Sequence, residues 1–279
     1  HLREAGARIG VNTQINVWSR HELEALLELV AAEGIHSWQL QVTIAHGNAA
    51  DHPEIMIQPH MYLEVFETLG RVLARAAELR VRIWPANNLG YFGPLEGPLR
   101  AHQKRDTGHY AGCEAGAGAL GIESDGAIKG CPSLGGPTNV GGNIRERSLW
   151  EIWSEAAQIR EIRERTRDDL WGYCQTCYYA DVCLAGCTAV SEPLLGRPGN
   201  NPYCHHRALE MDRLGLRERV ELVQAAPPVG FGTGLFRVIR EPKDPEVRRQ
   251  QGPVAIEDPR VSRLVAPRGP GRPWSPATG

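Results

Sequence analysis

The sequence predicts an α/β protein in three stretches: alternating strands and helices over 1–98, a small cysteine-rich α+β segment over 99–224, and a Pro/Arg/Gly-rich, mostly disordered tail over 225–279. Three observations carry this. Before residue 98 the apolar residues switch repeatedly between a period of two and helical spacing. All seven cysteines fall between Cys113 and Cys204. Ten of the twenty prolines lie beyond Ala225, a composition that does not build a core.

The elements follow in order. Ala7 to Asn16 alternates, with Ile9, Val11 and Ile15 on one side, and reads as a strand. Ser19 and Glu22 have the spacing of a capping box ahead of Leu23, Leu26, Leu27 and Val30, and Gly34 ends that helix. Ser37 to Ile44 alternates again. His60 to Leu79 is a second amphipathic helix with Val65, Leu69, Val72, Leu73 and Ala76 on one face. Val81 to Trp84 is a short strand closed by Pro85. Strands alternating with helices imply a parallel sheet with covering helices. Asn12, Thr13, Asn16, Gln39 and Gln41 line the strands with polar groups that face either a lumen or solvent. His46-Gly47-Asn48 follows the second strand, at the end where such sheets gather active-site loops; an ordinary connecting loop is the alternative. Asn87 to Pro94 is a turn-rich bridge. Further on, Gly121 to Gly126 predicts a hairpin turning at Asp125-Gly126. Leu149, Ile152, Trp153, Ala156 and Ile159 share a helix face, and His205-His206 open a solvated helix. Within the tail, Phe231 to Ile239 can add one short strand.

The cysteine spacing is Cys113…Gly126-x₄-Cys131…Cys174-x₂-Cys177-x₅-Cys183-x₃-Cys187-x₁₆-Cys204. Three chemistries use such density. Disulfide scaffolds belong to small secreted chains, whereas this chain has 279 residues and an odd cysteine count. Structural zinc takes four Cys or His ligands, often as paired CxxC units, and only Cys174 and Cys177 form one. An iron–sulfur cluster takes thiolates from a compact loop plus a distant return ligand; seven cysteines supply one complete site and one three-thiolate site.

This spacing resembles the SPASM domain of radical S-adenosylmethionine (SAM) peptide maturases. Gly142-Asn143-Ile144 leading into Ser148-Leu149-Trp150-Glu151-Ile152-Trp153 is similar to a stretch common in that family. The resemblance covers 99–224, and a weaker one, to the end of a radical SAM barrel, covers 1–98. It implies the C-terminal half of a partial (β/α)₆ TIM-like barrel followed by the SPASM domain. It also implies two auxiliary [4Fe-4S] clusters. Cys113, Cys131 and Cys187 would hold the first, and Cys174, Cys177, Cys183 and Cys204 the second. His102, Asp106, His109, a substrate atom or water would complete the first. The family's SAM-cleaving Cys-x₃-Cys-x₂-Cys is absent from this sequence, which starts at His1; a fragment of a longer enzyme, inactive by itself, is the expectation. The intact enzyme would bind SAM and a third [4Fe-4S] cluster. It would abstract hydrogen from a ribosomally made peptide or a protein, and draw electrons from flavodoxin or ferredoxin. Its catalytic and SAM-contacting residues stay unassigned. The rivals are an iron–sulfur electron carrier or scaffold serving a separate radical SAM subunit, and a zinc-stabilised peptide-binding module. A net charge of −2 gives no basic field for nucleic acid, and no apolar run reaches membrane-span length. Thiolate ligands without an export signal point to a reducing cytoplasm.

Overall fold

The computed structural model describes residues 1–2, 4–101, 108–229 and 232–261. Its first unit is a mixed α/β layer. Strands β1 (Gly10–Ile15), β2 (Ser37–Val42) and β3 (Arg82–Pro85) form a parallel sheet in the order β1-β2-β3. Helix α1 (Leu23–Ala32) joins the first pair; α2 (Asn48–Asp51) and the long α3 (Tyr62–Leu79) lie between the second. Leu23 and Leu27 of α1 and Val65, Leu69, Val72 and Ala76 of α3 are buried against Ile15, Trp38, Leu40 and Val42 of the sheet. Period-two and helical apolar spacings thus meet in one core, as the alternation predicted.

The expected capping box at Ser19 does not form. Ser19 Oγ donates instead to the Gln14 carbonyl (2.6 Å) and accepts from Asn16 N–H (3.0 Å), inside a short 3₁₀ turn, and α1 starts with no side-chain cap. A serine hydroxyl beside a strand end has a local competitor for its hydrogen bond, and here the competitor wins.

Helix α4 (Glu96–Arg100) leads into the cysteine-rich segment. Strands β4 (Gly121–Ile122), β5 (Ala127–Lys129) and β6 (Val140–Asn143) make an antiparallel meander, with the predicted turn at Asp125-Gly126. The single helix expected after Ser148 is two, α5 (Leu149–Glu155) and α6 (Ala157–Arg163), because Ala156 is extended between them. The bend lets Ile152, Ala156 and Ile159 converge on Ile128, while Leu149 stays exposed. Four short helices then follow the cysteines: α7 (Tyr173–Thr176), α8 (Ala180–Cys183), α9 (Thr188–Leu195) and α10 (His205–Arg213).

The segment expected to be disordered is partly built into the fold. β7 (Leu216–Gln224), β8 (Leu235–Pro242) and β9 (Ala255–Glu257) form a third antiparallel sheet, with α11 (Pro245–Gln251) between the last two strands. Phe236 and Val238 join the main core, which outweighs the local proline content. The sheet is tied to the first unit where Gln58 Oε1 accepts from Val220 N–H (2.8 Å) and His60 Nδ1 donates to the Glu218 carbonyl (2.9 Å). Among the described residues, no helix is long and apolar enough to cross a membrane.

Candidate metal centres

The seven thiols gather into two sets. Cys113, ahead of β4, and Cys131, just past β5, both act electrostatically on Cys187 at the start of α9. Burial pushes the Cys187 thiol up to about 12, and Cys113 and Cys131 push it the same way. Burial also raises Cys113, with Cys131 adding to it. The second set comprises Cys174, Cys177, Cys183 and Cys204. Burial raises Cys183 well above the ordinary thiol range, and Cys204, Cys174 and Cys177 add to the effect. Burial takes Cys174 up to about 11. Ala115 N–H donates to Cys113 Sγ, Tyr179 N–H to Cys177 Sγ and Asn201 N–H to Cys174 Sγ, each at 3.4 Å. Crowded, buried thiols hold their protons unless a cation replaces them, so such sets are poised for thiophilic metal.

Three residues join the sets. Leu184, Ala185 and Gly186 all lie in the left-handed region, with φ of 50°, 62° and 65°. Only the glycine adopts it without strain. At Gly186 a Cβ would also meet the Tyr91 ring at 2.4 Å. Tyr91 packs there because its hydroxyl accepts from Cys187 N–H (2.9 Å) and donates to the Asn87 carbonyl (2.5 Å). Its ring meets Tyr110 edge-on at 4.8 Å, and thiols of both sets act electrostatically on both phenols. Arg100, buried at 2% exposure, closes this wall by donating to the Leu89 carbonyl and by lying over Tyr110.

The second set lines one small, mostly apolar cavity together with Tyr91, Phe92, Tyr173, Tyr179, Asn201 and His206. Phe92 and Tyr179 stack at 4.2 Å over it. Asn201 is 1% exposed, its Oδ1 accepts from Tyr203 N–H, and its Nδ2 has no hydrogen-bond partner. Beside the first set, Arg165 donates from Nη1 to Thr188 Oγ1 (2.9 Å) and favours the Cys113 thiolate; its Nη2 has no hydrogen-bond partner and stands 4.0 Å from Glu161. Thiols around an apolar cavity, with stranded N–H donors nearby, suit a group that carries several irons and its own sulfide acceptors. Among the described residues, no three His, Cys, Asp or Glu side chains are disposed around a single metal ion. A four-iron cluster gives each thiolate its own iron and does not need that convergence.

The remaining sequence candidates fall variously. His102 and Asp106 lie outside the described residues. His109 Nδ1 contacts the carbonyl of Tyr110, and its ring lies 5.9 Å from Phe92. His46 is half-buried; burial lowers its pKa and the charge of Lys129 adds to that, so the loop after β2 faces the hairpin leading to Cys131. Asn12 donates to Gln39 (2.9 Å) on the exposed side of the sheet. His205 was expected on a solvated face and is instead core: it is 5% exposed and stacks on Phe66 at 3.9 Å. Gly93 makes room for it, since a Cβ there would sit 2.0 Å from His205 Nδ1. Sequence reasoning passed over Tyr91, Asn201 and Arg207. The Asn201-Pro202 dipeptide, a turn signal two residues ahead of Cys204, was the available clue to one of them.

Residues 113–178 match the model of the SPASM iron–sulfur cluster-binding domain. That span includes Cys113, Cys131, Cys174 and Cys177. An AdoMet-dependent heme synthase of Methanosarcina barkeri is 37% identical over 97 residues, which are 34% of this chain and 26% of that protein. The match therefore spans about a quarter of that relative's length. Crystal structures of Streptococcus suis SuiB with S-adenosylmethionine and with its precursor peptide SuiA align to 72% of this chain. They do so over 44% and 46% of theirs, at 16% and 17% identity and TM-scores of 0.47 and 0.49. The match to the SPASM iron–sulfur cluster-binding domain thus falls on four of the cysteines that the fold gathers.

Proposed function

We propose that this chain holds two auxiliary [4Fe-4S] clusters of a radical SAM enzyme that modifies a ribosomally made peptide or a protein. The observation that carries it is the sorting of seven thiols into a set of three and a set of four, the second around a single cavity. Cys113, Cys131 and Cys187 hold the first cluster; Cys174, Cys177, Cys183 and Cys204 hold the second. Residues 1–98 are the last units of a partial (β/α)₆ barrel and 99–224 the SPASM domain, with 225–257 folded onto both. The all-parallel first sheet, with its His46 loop turned toward Lys129, supports that division.

When bound, such clusters position substrate or pass single electrons at low potential. The residues described here do the surrounding work. Tyr91 and Tyr110 hold an apolar wall between the sets, and Phe92 and Tyr179 screen the second from water, which tunes potential by burial. SAM cleavage needs a cysteine triplet that this sequence does not contain, so hydrogen abstraction by a 5′-deoxyadenosyl radical belongs to the intact enzyme. A heme-forming reaction is the alternative substrate class, favoured by the 37% identity to the heme synthase.

Anaerobic reconstitution with iron and sulfide tests the assignment. The chain is expected to take up about eight irons, and Cys183→Ala about four, with the remaining cluster intact. Full iron and sulfide in the variant refutes the ligand sets; a colourless protein carrying zinc supports the rival zinc module. Offering the intact enzyme a precursor peptide and a heme precursor, each with SAM and reductant, separates the two substrate classes by which one changes mass.

A further inference from the structure

We infer that Asn201 is a positioning residue that donates a hydrogen bond from Nδ2 to the sulfur of the second cluster and thereby raises its reduction potential. This rests on the ligand assignment above. Asn201 lines the cavity bounded by Cys174, Cys177, Cys183 and Cys204, and its backbone N–H already donates to Cys174 Sγ. The amide orientation is set by its own neighbour, because Oδ1 accepts from Tyr203 N–H at 2.9 Å. That leaves Nδ2 as the group on the cavity side, buried and without a protein acceptor. A stranded amide donor of this kind is costly unless something accepts from it, and cluster sulfur is an acceptor. A donor next to the cluster stabilises the form with one more electron, so the potential rises.

The backbone ahead of this amide is held through Asn200. Arg207, fully buried, donates to Asn200 Oδ1 (2.8 Å), to both carboxylate oxygens of Glu218 (2.5 and 2.9 Å) and to Glu257 Oε2 (2.8 Å). Glu257 Oε2 accepts in turn from Asn200 Nδ2 (2.7 Å), and its Oε1 from Tyr173 N–H (2.8 Å) beside Cys174. Asn200 is therefore gripped on both sides of its amide, and the residue after it has little freedom to swing away.

Redox titration of the reconstituted chain, followed by electron paramagnetic resonance, tests this with the first cluster as internal reference. Asn201→Leu is expected to lower the potential of the second cluster and leave that of the first unchanged, at parental iron content. Equal second-cluster potentials in parent and variant overturn the inference. In the parent, asparagine labelled with ¹⁵N only at the side chain is expected to show hyperfine coupling to the second cluster. Its absence overturns the inference even where Asn201→Leu does not load iron. A parent that takes up only the first cluster overturns the ligand assignment and this inference together; two clusters with no coupling overturn Asn201 alone.

Discussion

One phenol spans the gap between the β3 loop and the start of α9: the Tyr91 hydroxyl both receives the Cys187 amide proton and gives its own to Asn87. Gly186 makes this fit possible, so Gly186→Ala brings a methyl against the ring and a strained φ at once. The expected loss is about 2–4 kcal/mol, read by denaturant unfolding of the cluster-free chain; a loss under about 0.5 kcal/mol would contradict the packing. His205 carries a second residue-scale expectation. Burial lowers its folded pKa to about 4 from an ordinary value near 6.5. As pH falls through 6.5 the unfolded chain takes up this proton while the folded chain refuses it. The stability drawn from a neutral His205 is therefore complete above about pH 6.5 and lost progressively towards pH 4. Replacing it with phenylalanine, which keeps the stack on Phe66, is expected to flatten the acid slope of the unfolding free energy between those limits. An unchanged slope in the cluster-free variant would show that another group carries it. No local pattern announced His205 as core, because its acceptance depends on Gly93, far away in sequence, having no side chain.

At the scale of elements, β9 matters out of proportion to its length. Its last residue, Glu257, joins Tyr173, Asn200 and Arg207, and so steadies the start of α7, which carries Cys174. Glu257→Ala takes away one of the two carboxylates on the buried Arg207 and leaves Asn200 Nδ2 and Tyr173 N–H without their acceptor, at an expected cost of about 2–3 kcal/mol. In the reconstituted chain it should deplete the second cluster before the first, with Glu257→Gln intermediate; equal depletion of both would point to general unfolding instead. This sheet was the least legible part of the sequence. β7 and β8 bury Glu218 and Glu241 on faces where apolar residues are the usual signal. The arginines that neutralise them are Arg207 and Arg240 for the first, Arg217 and Arg219 for the second. Pairings so remote in sequence leave no periodic trace. The first unit was readable for the opposite reason: its strands and helices bury ordinary aliphatic faces, and only termini such as Ser19 and Ala156 depended on local competition that spacing does not reveal.

For the molecule as a whole, the buried thiols link stability to pH and to metal. The unfolded chain releases thiol protons near pH 8.5, whereas the folded chain keeps those of Cys174 to about 11 and Cys187 to about 12. Above pH 8.5 the unfolded state thus holds fewer protons, and the cluster-free fold loses stability as pH rises towards 11. Loading iron removes those protons beforehand, so the alkaline slope should vanish in the reconstituted protein; unfolding curves at pH 8 and 10, with and without iron, check it. The density of cysteines was legible in the sequence, whereas their division into two ligand sets came only from the family resemblance, and the tyrosine wall and the Asn200–Asn201 turn arise only once distant segments meet. The link Leu184-Ala185-Gly186 has a further consequence. With four peptide units between Cys183 and Cys187, the chain there can stretch no further than about 14 Å. It acts as a ruler whose length is set by torsion angles, not by a flexible tether. On the proposed ligand sets, one residue added here would change the spacing between the two clusters.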